Sequence, residues 1–212
     1  MTISLPRIYP ITDKAISGLS HTEQVKRLID GGATLVQLRD KHAAPKDFLR
    51  DAKEALALAR RNHVRIIIND RVDIAMAIEA DGVHLGQSDI PIDVARGLLS
   101  PQVIIGFSTH NIAQVERAAK LPVDYVAFGP IFDTDTKRDR EPVVGLKRLP
   151  EVRNVLGRLP LVAIGGITEE NYNQAFKAAA DSVAVISDLL RDPNKIAEKL
   201  KRMLAVPMDQ QF

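Results

Sequence analysis

Asp70 and Asp89 each stand just beyond a short apolar run, with Asn69 and Ser88 beside them. Mg2+ prefers one or two carboxylates, several waters and phosphate oxygens, so such a pair suits a metal shared with a phosphorylated ligand. Arg39, Lys41 and Lys137 also follow apolar runs, and basic groups gathered in one cleft call for an anion. Together they read as a magnesium–pyrophosphate site. Each has a plainer reading as well: Asp70 could pair with Arg71, Asp89 could cap the helix after Pro91, and the basic groups could be solvated beside Asp40 or Asp139. Gly165-Gly166 and Ile186-Ser187 can offer backbone N–H groups to a phosphate, although glycine also serves ordinary tight turns.

Of the five histidines, His21, His42 and His63 fall in loop or helical contexts and are expected to be solvated. His84 lies inside an apolar run and is expected to be hydrogen-bonded in the interior. No two histidines have metal-ligand spacing. His110, in Ser108-Thr109-His110-Asn111, could orient a substrate, move a proton or cap a helix.

These groups converge only if the elements carrying them do. Short apolar runs occur at Ile8–Ile11, Leu35–Leu38, Arg65–Ile68, Gly82–Leu85, Val103–Ile105, Tyr125–Phe128, Leu161–Ile164 and Ser182–Val185. Each is followed by helical periodicity, roughly over Thr22–Asp30, Lys46–Asn62, Val72–Ala80, Ile92–Leu99, Ile112–Lys120, Lys147–Val155, Glu169–Ala179 and Pro193–Leu204. The runs are apolar throughout, as in parallel strands covered on both faces. Ser20-x-x-Glu23 has capping-box form, and Thr168 and Ser108–Asn111 supply further caps. Eightfold strand–helix alternation predicts a single-domain α/β fold, a (β/α)8 TIM barrel with short loops; a doubly wound open sheet is the alternative. In the barrel, the residues after each run share one rim.

The 212 residues divide among eight units with room for one domain, 1–212, of which 206–212 reads as a flexible tail. There are 29 Lys+Arg against 27 Asp+Glu, a formal charge of +2, which argues against nucleic acid or a membrane surface as partner. No cysteine is present, which excludes disulfides, thiolate metal sites and a cysteine nucleophile. No apolar stretch reaches spanning length and the start lacks signal-peptide character, so a cytoplasmic protein acting on small molecules is expected, with a homo-oligomer left open.

Tyr9-Pro10-Ile11-Thr12-Asp13, Val36-Gln37-Leu38-Arg39-Asp40-Lys41, Ile68-Asn69-Asp70-Arg71-Val72-Asp73, Gly82-Val83-His84-Leu85-Gly86-Gln87-Ser88-Asp89, Ser108-Thr109-His110-Asn111, Phe128-Gly129-Pro130-Ile131-Phe132 with Thr134, Thr136 and Lys137, and Ala163-Ile164-Gly165-Gly166-Ile167 occur in this order. Together they resemble the thiamine-phosphate synthase family from about Ile8 to Leu190. The resemblance implies a (β/α)8 barrel that joins a hydroxymethylpyrimidine diphosphate to a hydroxyethylthiazole phosphate with Mg2+, releasing pyrophosphate by dissociative substitution. It assigns Gln37, Arg39, Lys41, Asn69, Ser108 and Lys137 to the pyrimidine diphosphate, with Arg39, Lys41, Ser108 and Lys137 aiding departure of the pyrophosphate. Asp70 and Asp89 become metal ligands, and Thr134, Thr136, Gly166, Ile186 and Ser187 fall at thiazole-phosphate positions.

Two departures stand out: Asp40 where the family commonly has Glu, and Phe107 where a smaller residue is common. The charged stretch Lys137–Arg140, running on to Gly145, is expected to form a lid over the diphosphate. Two rival functions share the same barrel. A thiazole tautomerase would use a histidine where His110 sits and would not need the aspartate pair, and an idle barrel would only sense phosphorylated ligands.

Overall fold

A computed structural model describes residues 3–134 and 142–206. Eight parallel strands close on themselves in chain order: β1 (Ile8–Asp13), β2 (Leu35–Arg39), β3 (Arg65–Asn69), β4 (Gly82–Leu85), β5 (Ile104–Thr109), β6 (Tyr125–Phe128), β7 (Leu161–Ile164) and β8 (Ser182–Val185), with β8 pairing back to β1. Closure settles the choice between barrel and open sheet. The helices are α1 (Lys14–Ser17), α2 (His21–Asp30), α3 (Pro45–Arg61), α4 (Val72–Ile78), α5 (Ile92–Leu98), α6 (Ile112–Ala118), α7 (Leu149–Leu156), α8 (Tyr172–Lys177), α9 (Ser187–Leu190) and α10 (Ile196–Ala205). The expected helices are present, with two one-turn additions, α1 and α9, directly after β1 and β8.

Strand residues sort by parity. Tyr9, Ile11, Leu35, Ile67, Ile104, Tyr125, Ala127, Val162 and Ala184 pack together inside the barrel. Their neighbours, among them Ile8, Val36, Leu38, Ile66, Ile68, Val83 and Val183, pack under the helices in the larger core. The alternation is hidden in the sequence because both faces are dry. β1, β2, β3 and β5 also run beyond their apolar runs, so Asp13, Arg39, Asn69 and Ser108 are strand residues whose directions the ladder sets.

The caps follow their chemistry. Ser20 Oγ accepts from Glu23 N at 3.1 Å, and Asn111 Oδ1 accepts from Gln114 N at 3.0 Å. Thr168 does not open a helix: Asn171 accepts from Thr168 N and donates to Gly166 O, both at 2.8 Å, which holds residues 168–171 as a turn before α8. Arg7 binds Val206 O, tying the end of α10 to the start of the chain, and residues 207–212 of the expected tail lie outside the described residues.

His21 departs from expectation. It is fully buried, with Nδ1 2.7 Å from Thr12 Oγ1 and Nε2 3.4 Å from Asp40 Oδ2, whereas His42 and His63 are exposed. Thr12 points out of the barrel toward α2 rather than into the mouth, and His21 is its partner. Burial pushes the imidazole's pKa down, with Asp51 and Asp40 opposing.

Two stability measurements follow. A Cβ on Gly82 would lie 2.6 Å from the Ile104 carbonyl oxygen and 2.5 Å from Ile67 Cδ1, so Gly82→Ala forces two strands apart. It is expected to cost about 1–3 kcal/mol in urea unfolding, at unchanged slope. Because folding lowers the pKa of His21, the unfolded chain takes up a proton that the folded chain refuses. Stability should therefore fall as the pH drops below about 6.5, with a shallower fall in His21→Gln.

Candidate functional site

At the carboxyl ends of β2 to β5 the inward positions carry Arg39, Asn69, His84 and Ser108, which line one pocket together with Lys41, Asp70 and Asp89. Lys41 Nζ makes a short ion pair with Asp70. Arg71 instead forms a bidentate pair with Asp73 at 2.8 and 2.5 Å, so it does not neutralise Asp70. Asp70 has φ +62, a backbone setting uncommon for an L residue; its N–H donates to His84 O at 2.8 Å, locking the turn that carries the carboxylate. Asp89 does not cap the helix after Pro91: its Oδ2 accepts from Gly86 N at 2.6 Å, and α5 has no side-chain cap.

Asp70 and Asp89 thus stand side by side. Burial and the Asp70 carboxylate push the pKa of Asp89 up, against the Gly86 N–H and the Lys41 ammonium. Arg39 is nearly buried and bound to Asp13, itself buried, at the end of β1. The sequence reading gave Asp13 no role. A carboxylate beside the buried guanidinium offsets much of its desolvation and fixes its direction.

A second pocket lies across the mouth and meets the first at Ser108 and His110, which line both. Its floor and far wall include Gly166, Ile186, Ser187 and Thr134. Gly165 and Gly166 have φ +97 and +63, and a Cβ on Gly166 would lie 2.4 Å from Asp133 O, so this turn admits only glycine. The loop after β6 docks on it through Ile131 N to Ile164 O and Phe132 N to Gly165 O, at 2.9 and 3.0 Å. Ser187 opens α9, whose first-turn N–H groups have no acceptor within the helix.

His110 does not cap a helix through its ring. Its Nδ1 is 2.7 Å from Gly129 O, its backbone N–H donates to Gln114, and Asn111 is the cap of α6. Gln37 is buried inside the barrel beneath the first pocket, with Nε2 donating to Tyr9. Thr136, Lys137 and the charged part of the expected lid lie outside the described residues. Gln87, exposed after β4, donates to Ser108 O at 2.6 Å, a contact that sequence reasoning did not single out.

Fold and site define an enzyme of the (β/α)8 class with its polar mouth at the carboxyl ends of the strands. The profile of the thiamine monophosphate synthase family matches residues 8–189. Thiamine-phosphate synthase of Koribacter versatilis is 44% identical over 207 residues, covering 95% of this chain and 97% of that protein. The Chloroflexus aurantiacus protein of the same name is 40% identical over 207 residues, covering 96% and 95%. Thiamine phosphate pyrophosphorylase from Pyrococcus furiosus superposes with a TM-score of 0.83 at 33% identity, over 93% of both chains. The chain belongs to the thiamine monophosphate synthase family and is an enzyme of the transferase class.

The carboxylate pair allows stability and activity to be measured against each other. Asp89→Asn relieves the repulsion from Asp70 and keeps an acceptor for Gly86 N–H. Without added metal its Tm should equal or exceed that of the parent, while turnover falls; a lower Tm would show that the two carboxylates do not repel.

Proposed function

We propose that the chain is a thiamine-phosphate synthase. In this reading it joins 4-amino-2-methyl-5-hydroxymethylpyrimidine diphosphate to 4-methyl-5-(2-hydroxyethyl)thiazole phosphate, forming thiamine phosphate and pyrophosphate with Mg2+. The observation that carries the reading is the pair of adjoining pockets, one with basic groups and paired carboxylates, the other ending in a glycine turn and the start of α9. Two anionic substrates need two such ends with a shared middle, here Ser108 and His110.

The chemistry asks little of a nucleophile. The C–O bond to the diphosphate breaks, both electrons leave with pyrophosphate, and the pyrimidine amino group stabilises the cation left at the methylene carbon. The thiazole nitrogen then supplies the pair for the new C–N bond, with no proton transfer. Arg39 and Lys41 offset charge accumulating on the departing group, held by residues already aimed at the mouth. Thr134, Gly166, Ile186 and Ser187 grip the thiazole phosphate and align its ring. Thr136 and Lys137 keep the roles that the family resemblance implies.

Asp70 and Asp89 fit a divalent cation. Asp70 is paired with the Lys41 ammonium and Asp89 lies beside it, its pKa raised by burial first and then by the Asp70 charge. Among the described residues no third acidic or histidine group completes a protein cage, which suits an ion whose remaining ligands are water and phosphate oxygens. When bound, Mg2+ supplies neutralisation of the diphosphate charge.

Incubating the protein with both substrates and Mg2+ should yield thiamine phosphate, and Asp70→Ala should lower the rate on the order of a hundredfold. The tautomerase reading requires the reverse: indifference to Asp70→Ala and loss of activity in His110→Ala. Binding of both substrates without product would leave the sensor reading, and pyrophosphate release independent of the thiazole phosphate would indicate a hydrolase.

A further inference from the structure

The mechanism makes no use of the buried polar side chains that cross the barrel beneath Ser108. Gln37 Nε2 donates to Tyr9 Oη at 3.0 Å, and Tyr9 Oη lies 2.9 Å from Tyr125 Oη. Tyr125 Oη is 2.9 Å from His84 Nδ1, and His84 Nε2 is 2.8 Å from Ser108 Oγ. Five side chains from β1, β2, β4, β5 and β6 are thereby linked end to end. Both tyrosines are fully buried, the Tyr125 ring stacks on His84 at 5.5 Å, and it meets Tyr9 edge-on at 5.9 Å. Gly106 makes the space: a Cβ there would lie 2.1 Å from the Tyr125 ring and 2.5 Å from His84 Nδ1. Buried polar groups cost stability unless paired, so such a row persists only as a connected whole.

Connection also fixes direction, because each phenol has one proton to give. With Gln37 Nε2 donating to Tyr9, the pairing that satisfies every group sends the Tyr9 proton to Tyr125. In the same pairing the Tyr125 proton goes to His84 Nδ1. A neutral imidazole accepting at Nδ1 carries its hydrogen on Nε2, and that hydrogen is donated to Ser108 Oγ. The Ser108 hydroxyl proton therefore points away from His84, toward the mouth where Ser108 lines both pockets. Burial raises the pKa of both tyrosines, which keeps both phenols protonated as donors.

We propose that the row Gln37–Tyr9–Tyr125–His84–Ser108 is a directed relay that presents Ser108 as a hydrogen-bond donor to the diphosphate. Tyr9, Tyr125 and His84 are then positioning residues acting through it. A donor is what phosphate oxygens require, since they have no proton to offer; the reversed row would turn the Ser108 proton toward His84 and leave a lone pair facing the anion. The identity of the ligand rests on the function proposed above, whereas the direction of the row does not.

The test uses the full chain labelled with 15N-histidine. The wild-type His84 spectrum should show the Nε2–H tautomer alone. Tyr125→Phe removes one hydroxyl at nearly constant volume and should turn His84 into a tautomer mixture. It should also lower kcat/KM for the pyrimidine diphosphate about tenfold, the scale of one hydrogen bond, leaving KM for the thiazole phosphate unchanged. Tyr9→Phe, which frees the direction without touching His84, should give the same mixture and keeps the test available if Tyr125→Phe does not fold. An Nδ1–H tautomer in the wild type, an unshifted tautomer in both variants, or unchanged kcat/KM would overturn the relay. Failure of the wild type to form thiamine phosphate would overturn the substrate reading instead. The relay would then be judged on the tautomer and on binding of magnesium pyrophosphate, which should weaken about tenfold in the variants; unchanged binding would refute it.

Discussion

Closure of the eight-stranded parallel ladder is the constraint from which the site follows. Once β8 pairs with β1, every strand's carboxyl end lies on one rim, and alternation along each strand decides which side chains enter the barrel. Gln37 and Arg39 share the inward face of β2, and Ser108 lies inward at the top of β5, while the hydroxyls of Thr12 and Thr109 are engaged by neighbouring elements, Thr109 still lining the second pocket. Thr12 meets the buried His21, and Thr109 donates to Ala127 O at 2.9 Å. Residue type alone does not distinguish these side chains; strand parity does.

Charge is arranged within that frame as compensated pairs at the rim. Arg39 is held by Asp13 and Lys41 by Asp70, while Asp89 is held by a backbone N–H and crowded by Asp70. The total of +2 conceals this, because opposite charges cancel in the sum yet occupy adjacent positions in space. In the proposed reaction such an arrangement is pre-organised, with the basic groups held in place by their carboxylate partners, so that little reorganisation accompanies charge development on a leaving group. The glycine turn after β7 completes the opposite end, where the loop after β6 rests on backbone that no side chain could occupy.

Much of this was legible in the chain. All eight strands and the eight longer helical segments follow from apolar runs and periodicity, and the residues after runs two to eight supply most of the lining of the two adjoining pockets, whereas Thr12 and Asp13 after the first run do not line them. Element ends carry less of the pattern. Thr168 looked like a cap, but Asn171 turns back on Gly166 and delays α8; α1 and α9 are single turns, too short to leave a periodic signal. His21 looked solvated because it stands among polar residues at the start of α2, and only the packing of α2 against β1 and β2 buries it.

By itself the sequence determined the kind of fold and the stock of chemical groups, since eight apolar runs must pair and polar residues beyond them must gather at one end. It also determined what the chemistry could not use, there being no thiol anywhere in the chain. Tertiary structure alone decided the partnerships: Asp13 with Arg39, Lys41 rather than Arg71 with Asp70, and the crossing of Tyr9 and Tyr125 that joins Gln37 to Ser108. Such pairings join residues far apart in sequence, 116 positions in the case of the two tyrosines. Their selection depends on strand register and inward parity, which a chain buried on both faces of its sheet does not write into its hydrophobic pattern.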